Sequence, residues 1–219
     1  MRLIDLTQTY QRSTPGVSWE PARVLEQDGW NATTLHLYSH AGTHVDAPLH
    51  FGMGQETIDT MPLEQLVGWA WVLRLPDTQP REVLTVAHLG ELAGKISPQD
   101  SLLFYTNWSL RNGTDEYRDA LPRIGEELAR WLVDNKVKMI GVEPPSVADV
   151  NNLPEVTLIH RILLGGGITI VEGLCNLDQL RQEKVLLFAL PLKYAGGDGA
   201  PARVIAVEGI ATGSESAGS

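Results

Sequence analysis

The chain is poor in cysteine, in basic residues and in long apolar runs, and each shortage excludes something. Of its 219 residues only Cys175 carries a thiol. One thiol forms no internal disulfide and builds no thiolate zinc site alone, so a disulfide scaffold is excluded and Cys175 reads as a small buried hydrophobe. Lysine and arginine number 17 against 27 acidic residues, a net charge of −10. A phosphate-binding face needs clustered Lys and Arg. No such run is present, so nucleic acid is not an expected partner. The longest apolar run, Val185 to Leu190, is too short to span a bilayer. The opening Met1-Arg2-Leu3-Ile4-Asp5-Leu6 lacks the extended apolar core of a secretory leader. The expectation is a cytoplasmic protein without a membrane partner.

Several catalytic signatures are missing too. There is no Gly-x-Ser-x-Gly elbow, and Gly94-Lys95 is followed by Ile96 rather than the Ser or Thr of a phosphate-binding loop. The letters of Gly197-Asp198-Gly199-Ala200-Pro201-Ala202 match a dinucleotide fingerprint. However, Pro201 and the β-rich stretch Arg203–Val207 stand where that motif requires a helix.

What is present is 43% hydrophobic residues and 20% charged ones, enough for a globular core. Short apolar runs predict strands over Leu3–Leu6, Thr33–Tyr38, Trp69–Leu75, Leu102–Thr106, Lys138–Val142, Ile168–Val171, Val185–Leu190 and Arg203–Val207. Between them, Thr85 can cap a helix that runs through Leu92 and ends at Gly94. Pro122 opens the clearest helix, Pro122–Asn135, with Ile124, Leu128, Trp131 and Leu132 as its apolar stripe. Pro154 opens another that runs to about Leu164, before Gly165-Gly166-Gly167 breaks it. The alternation predicts one α/β domain over residues 1–210, with a mixed β-sheet or partly open barrel-like core flanked by helices. The small polar tail 211–219 reads as mobile.

Three of the six histidines fall within eleven residues, with an acid among them: His40, His44, Asp46 and His50. Imidazole and carboxylate suit zinc, manganese or iron without a thiolate. The four-residue step from His40 to His44 would share a helix face, but Gly42, Thr43, Val45 and Pro48 oppose a helix. A turn or irregular loop leaving the Thr33–Tyr38 strand is expected instead. In it His44 and Asp46 alternate onto one side, and Gly42 lets the backbone fold so that His40 joins them. His160 lies in an apolar helical stretch and reads equally as a satisfied core imidazole or a ligand. Glu172 ends an apolar strand and reads equally as an exposed terminus or a group facing a ligand crevice.

The stretch His40-Ala41-Gly42-Thr43-His44-Val45-Asp46-Ala47-Pro48-Leu49-His50-Phe51 resembles the H-x-G-T-H-x-D-x-P-x-H-F signature of the cyclase-type metal-dependent hydrolases, a family that includes kynurenine formamidases and isatin hydrolases. Leu3–Thr7, Pro144-Pro145-Ser146-Val147, His160, Ile170–Leu174, Pro191-Leu192 and Gly197–Arg203 resemble further family segments in the same order. The resemblance implies two divalent ions, usually zinc, with manganese an alternative. His40, His44 and Asp46 would hold one ion. Asp46 would bridge to a second held with His160 and Glu172, and His50 would carry protons. It implies hydrolysis of an aryl formamide such as N-formylkynurenine, in tryptophan catabolism. The alternatives are hydrolysis of a cyclic amide, lactone or other small acyl compound, and a non-catalytic metal-binding domain. A homo-oligomer, dimer or larger, acting on a small molecule is also implied. Where the family's formamidases carry an aromatic-Pro-Gly-Asp segment, this chain has Thr14-Pro15-Gly16-Val17, and Trp19 is the nearby candidate for binding substrate. Glu143 stands where family members often have aspartate.

Overall fold

The computed structural model describes residues 1–210, so the tail expected over 211–219 lies outside the described residues. Its strands are β1 (Arg2–Asp5), β2 (Val17–Arg23), β3 (Ala32–Leu37), β4 (His44–Asp46), β5 (Val67–Arg74), β6 (Val83–Leu84), β7 (Ser101–Tyr105), β8 (Arg123–Ile124), β9 (Met139–Val142), β10 (Thr169–Glu172), β11 (Lys184–Pro191) and β12 (Gly199–Glu208). The α-helices are α1 (Leu25–Asp28), α2 (Leu63–Leu66), α3 (Asp115–Asp119), α4 (Glu126–Asp134) and α5 (Leu153–Gly165).

Eight strands form one mixed sheet in the order β1-β12-β11-β5-β7-β9-β10-β4, and a further β12–β4 pairing closes seven of them into a barrel. Strands β5, β7, β9 and β10 run parallel in sequence, while β4 is antiparallel to both β10 and β12. The mixed-sheet, barrel-like α/β architecture expected from the pattern is the one observed. The parallel strands are buried on both faces, which is why they read as unbroken apolar runs rather than alternating ones. Leu103 points into the barrel, while Leu102 and Phe104 point outward beneath the helices. Likewise Met139 and Val171 face inward, and Ile140 and Ile170 outward.

Helices α4 and α5 cover the outer face. Leu128, Ala129 and Leu132 are the buried stripe of α4, and Glu126 and Arg130 pair on its wet side at 2.8 Å. In α5 the Asn152 side chain accepts the Glu155 N–H at 3.3 Å, Pro154 sits in the first turn, and Ile159, His160, Leu163 and Leu164 are buried. A proline there removes an N–H that has no helical partner anyway.

Local expectations fail at three places. Pro122 does not open the helix: residues 123–124 pair with β6 as β8, the Ile124 N–H bonds the Val147 carbonyl at 2.8 Å, and α4 starts only after Gly125. The Val86–Gly94 segment is 3-10 helix broken at Gly90 (φ 51°), with Thr85 and His88 forming a capping box at its start. The hairpin β2–β3 contains a strand, Val17–Arg23, that its sparse apolar content did not signal. With that hairpin, His36 is on the surface beside Glu20 at 3.0 Å.

Candidate metal centre

Residues 44–46, expected as irregular loop, are instead the short strand β4, held between β10 and β12. Three residues flanked by Gly42 and Pro48 carry too little pattern to be read as a strand. Alternation settles which side chains meet. Val45 points into the barrel core, so His44 and Asp46 both point outward, as the spacing predicted. On β10, Ile170 packs outward, so Glu172 does too. Register then places Glu172 directly opposite His44, and Ile170 opposite Asp46. Helix α5 lies over this face and lowers His160 onto it.

Glycines allow the close approach. Gly173 has φ +67°, and a Cβ there would strike the Gly42 carbonyl oxygen. Gly42 itself has φ +57°, and a Cβ on it would come within 2.8 Å of the Tyr10 ring. Thr43 ties the two segments together by donating its hydroxyl to the Gly173 carbonyl at 2.6 Å. The loop that ends in Thr43 carries His40. The 3-10 turn Pro48–Phe51 carries His50.

The six polar side chains converge. His44 donates Nδ1–H to the Gly42 carbonyl at 2.9 Å, which leaves Nε2 as a bare acceptor, 3.2 Å from Glu172 Oε2 and 3.5 Å from Asp46 Oδ1. His160 donates Nδ1–H to the Val156 carbonyl at 2.8 Å. Its Nε2 lies 3.5 Å from Glu172 Oε1 and 3.7 Å from Asp46 Oδ2. His40 Nδ1 meets Asp46 Oδ1 at 2.8 Å. His50 stacks on His40 with ring centroids 3.9 Å apart, and Phe51 stacks on His160 at 4.4 Å. Glu172 also accepts the Val147 N–H at 2.7 Å.

Two of these atoms are orphans. His44 Nε2 and Asp46 Oδ2 are buried and have no hydrogen-bond partner among the described residues. Buried polar atoms are almost always paired, and two unpaired acceptors buried in one cluster are what a cation would satisfy. His44, Asp46 and Glu172 bring ligand atoms within 4.8 Å of one another, and so do His40, Asp46 and His50. The donor set fits a divalent ion of borderline or hard character. In the two histidines that bond a backbone carbonyl, His44 and His160, the second nitrogen is left as the tautomer a metal would require.

The protein's own field is consistent with a concentrated charge centre. Burial opposes charge on His40, but the hydrogen bond and charge of Asp46, and then of Asp198, outweigh it and push its pKa up to about 9. Burial likewise opposes charge on His44 and His160, and Glu172 and Asp46 nevertheless raise both. Glu172 is desolvated, yet the His160 and His44 rings beside it hold it below the usual carboxylate range. His50 moves the other way, lowered chiefly by burial.

A cavity of about 890 Å³ opens over these groups, with His40, His44, His50, His160 and Glu172 on its floor. Its walls include Tyr38, Phe51, Tyr117, Pro145 and Val156. His50 is the most open ring of the four, its side chain 23% exposed against 9%, 2% and 3% for His40, His44 and His160. Trp19 is not among the lining residues. It sits on β2 beneath the Arg12 guanidinium, 4.0 Å from its ring centroid. Sequence reasoning passed over Asp198, whose Oδ2 lies 2.9 Å from His40 Nε2 and 3.4 Å from His50 Nδ1. Its signal was its place in Gly197–Arg203, a segment that resembles the family's closing one but whose carboxylate was given no role.

A family model described as "Putative cyclase" matches residues 4–149. A kynurenine formamidase of Salinibacter ruber (strain DSM 13855 / M31) is 34% identical over 215 residues, covering 94% of this chain and 97% of its own length. Isatin hydrolase A from Ralstonia solanacearum has a similar solved structure, with a TM-score of 0.85 and 28% identity over 94% of this chain and 91% of that one. So does a predicted metal-dependent hydrolase from Bacillus stearothermophilus, with a TM-score of 0.74 and 26% identity over 94% and 97%.

Proposed function

The chain belongs to the cyclase family and is a metal-dependent hydrolase of the aryl formamide or amide type, and we propose that its substrate is an aryl formamide such as N-formylkynurenine. The observation that carries this reading is the pair of orphaned buried acceptors, His44 Nε2 and Asp46 Oδ2, under a cavity whose one open imidazole belongs to His50. In this reading His40, His44, Asp46, His160 and Glu172 would hold divalent metal, two zinc ions, with manganese an alternative occupant. Bound there, the metal supplies Lewis acidity and makes water a competent nucleophile near neutral pH.

The rest is done by side chains. His50 accepts the proton of the attacking water and returns it to the leaving nitrogen, a task that suits imidazole because both of its forms are accessible near pH ~7. Phe51, Tyr38 and Val156 present apolar wall to an aromatic ring. A structural metal site would be saturated by protein ligands. Here the donor atoms border an open cavity, which favours catalysis over a non-catalytic domain.

A second reading keeps the chemistry and changes the substrate to a cyclic amide, lactone or other small acyl compound. It is favoured by the cavity wall, where Trp19 supplies no ring, and by the similarity to isatin hydrolase A. Under either reading we take the enzyme to be a cytoplasmic homo-oligomer, and light scattering on the purified protein checks the oligomeric state. The test of function is a substrate panel. Purified protein is assayed with N-formylkynurenine, a simple aryl formamide and isatin, before chelation, after chelation and after zinc or manganese is restored. Preferred, metal-dependent turnover of formamides supports the first reading, and preferred opening of isatin supports the second. Undiminished turnover in fully stripped protein refutes both.

A further inference from the structure

Asp198 belongs to no metal-ligand group of the centre, yet its carboxylate touches the two rings that stack on one another. Backbone pairing puts it there. Its carbonyl accepts the Ala47 N–H at 3.0 Å, and the next residue, Gly199, stands opposite Asp46 in the β12–β4 register. The position is fixed by close packing as well, since a Cβ on Gly199 would come within 2.6 Å of His40 Cε1 and 2.9 Å of the Val45 carbonyl oxygen. Asp198 is therefore anchored between the strand that bears Asp46 and the turn that bears His50. Its side chain is 41% exposed, against 0% for Asp46, so it stands at the solvent edge of the cluster rather than in its floor.

His50 needs an orienting group. A ring that takes a proton from water and hands it to a leaving nitrogen must present one particular nitrogen, and an unrestrained imidazole exchanges tautomers and turns about its side-chain bonds. His44 and His160 have backbone carbonyls for this purpose. For His50 the carboxylate nearest Nδ1 is that of Asp198, with Oδ2 at 3.4 Å, an approach without the alignment of a formed hydrogen bond, as catalytic pairs often are before substrate binds. Stacking on His40 restrains the ring plane, and Oδ2 is shared by both rings, 2.9 Å from His40 Nε2.

We propose that Asp198 is a positioning residue for His50: it receives Nδ1–H, fixes the tautomer and leaves Nε2 directed at the cavity for proton transfer. The inference rests on the role given to His50 under Proposed function. No bond to substrate is made or broken by Asp198. It acts through the ring, as the carboxylate of a carboxylate–imidazole pair does.

The test compares the parent protein with Asp198→Ala and Asp198→Glu. Three quantities are read: metal content by elemental analysis, kcat and KM separately on the best aryl amide of the panel, and the histidine ring ¹⁵N signals at pH 8 of the protein as purified, with His50→Ala assigning the His50 signals. Expected for Asp198→Ala is unchanged metal content, KM within about twofold and kcat reduced by at least about tenfold. Its His50 ring signals should change from one protonated at Nδ1 to an averaged pair, and Asp198→Glu should recover part of both losses. An unaltered His50 signal or an unaltered kcat overturns the proposal. So does metal content falling in step with kcat, because Asp198 would then act through His40. If the parent protein hydrolyses no amide, the functional reading fails, and the ring signals alone still decide whether Asp198 sets the tautomer.

Discussion

Glu143 is 1% exposed, and its carboxylate is the hub of the loop behind the cavity wall. Oε2 accepts the Thr106 N–H at 2.7 Å, the Thr106 hydroxyl at 3.0 Å and the Trp108 N–H at 3.1 Å, and Oε1 accepts the Ser109 hydroxyl at 2.7 Å. Trp108 passes the order on by donating Nε1–H to the Tyr117 carbonyl at 2.8 Å, and Tyr117 lines the cavity. Glu143→Ala strands two buried backbone N–H groups, each at about 1–3 kcal/mol, while the hydroxyls can turn elsewhere. The expected loss is about 2–6 kcal/mol, which for a domain of this size lowers Tm by roughly 4–24 °C. Glu143→Gln behaves differently. Its amide oxygen can keep the three bonds of Oε2, and its NH2 can donate to the Ser109 oxygen.

The pH dependence has a definite sign. Burial pushes the Glu143 carboxyl above its ordinary value of 4.5, against the hydrogen bonds from Ser109, Thr106 and Trp108 that pull it down. A folded-state pKa above the unfolded one gives stability that is complete below the unfolded value and is lost as pH rises through the folded one. Glu143→Gln, which cannot ionise, therefore gains on the parent as pH rises from the ordinary value of 4.5 through the raised folded-state one. Thermal melts of the three proteins across that range measure both effects. The reasoning is refuted if Gln is as damaging as Ala at pH 8, or if Ala stays within about 1 kcal/mol of the parent, less than one stranded N–H is worth.

Further tests probe the centre and the core. His50→Ala should keep its metal by elemental analysis and lose about 10²–10⁴ in kcat. Asp46→Ala should lower metal content more than any other single change at the centre, because its two oxygens face His40, His44 and His160; native-level metal in that variant would contradict this. Gly173→Ala, whose new methyl would overlap the Gly42 carbonyl, should lower both Tm and metal content, since it forces apart the segments that carry His44 and Glu172. Leu103→Ala, at the barrel centre and 0% exposed, should cost about 2–5 kcal/mol in denaturant unfolding and leave metal content intact.

How far the sequence foretold this arrangement depended on the range of the forces involved. The runs that became β7, β9 and β10 were legible because burial on both faces imposes a continuous apolar stretch. The stripe of α4 was legible because it repeats at the helical period, but its first turn was not. Pro122 permits a helix start, and pairing of Arg123 with Val83 decided otherwise. The outward alternation of His44 and Asp46 is a local property and was legible. That these residues form a strand was not, because β4 exists only through its partners β10 and β12. His160 and Glu172 were ambiguous from local context for the same reason: the contact that joins their segments to the His40–Asp46 loop spans 130 residues of chain at Thr43–Gly173. Asp198 acquires its neighbours solely from the β12–β4 register, and no short-range rule reports that.

In the proposed function, the buried face shared by β4, β10 and α5 binds the divalent metal on which hydrolysis depends. Anomalous scattering from crystals of the zinc-loaded protein tests it most directly. A zinc peak is expected among His44 Nε2, Asp46, His160 Nε2 and Glu172, at the roughly 2.0–2.2 Å distances zinc keeps to nitrogen and oxygen. Zinc bound elsewhere with those side chains empty, or no bound zinc at saturating concentration, would contradict it.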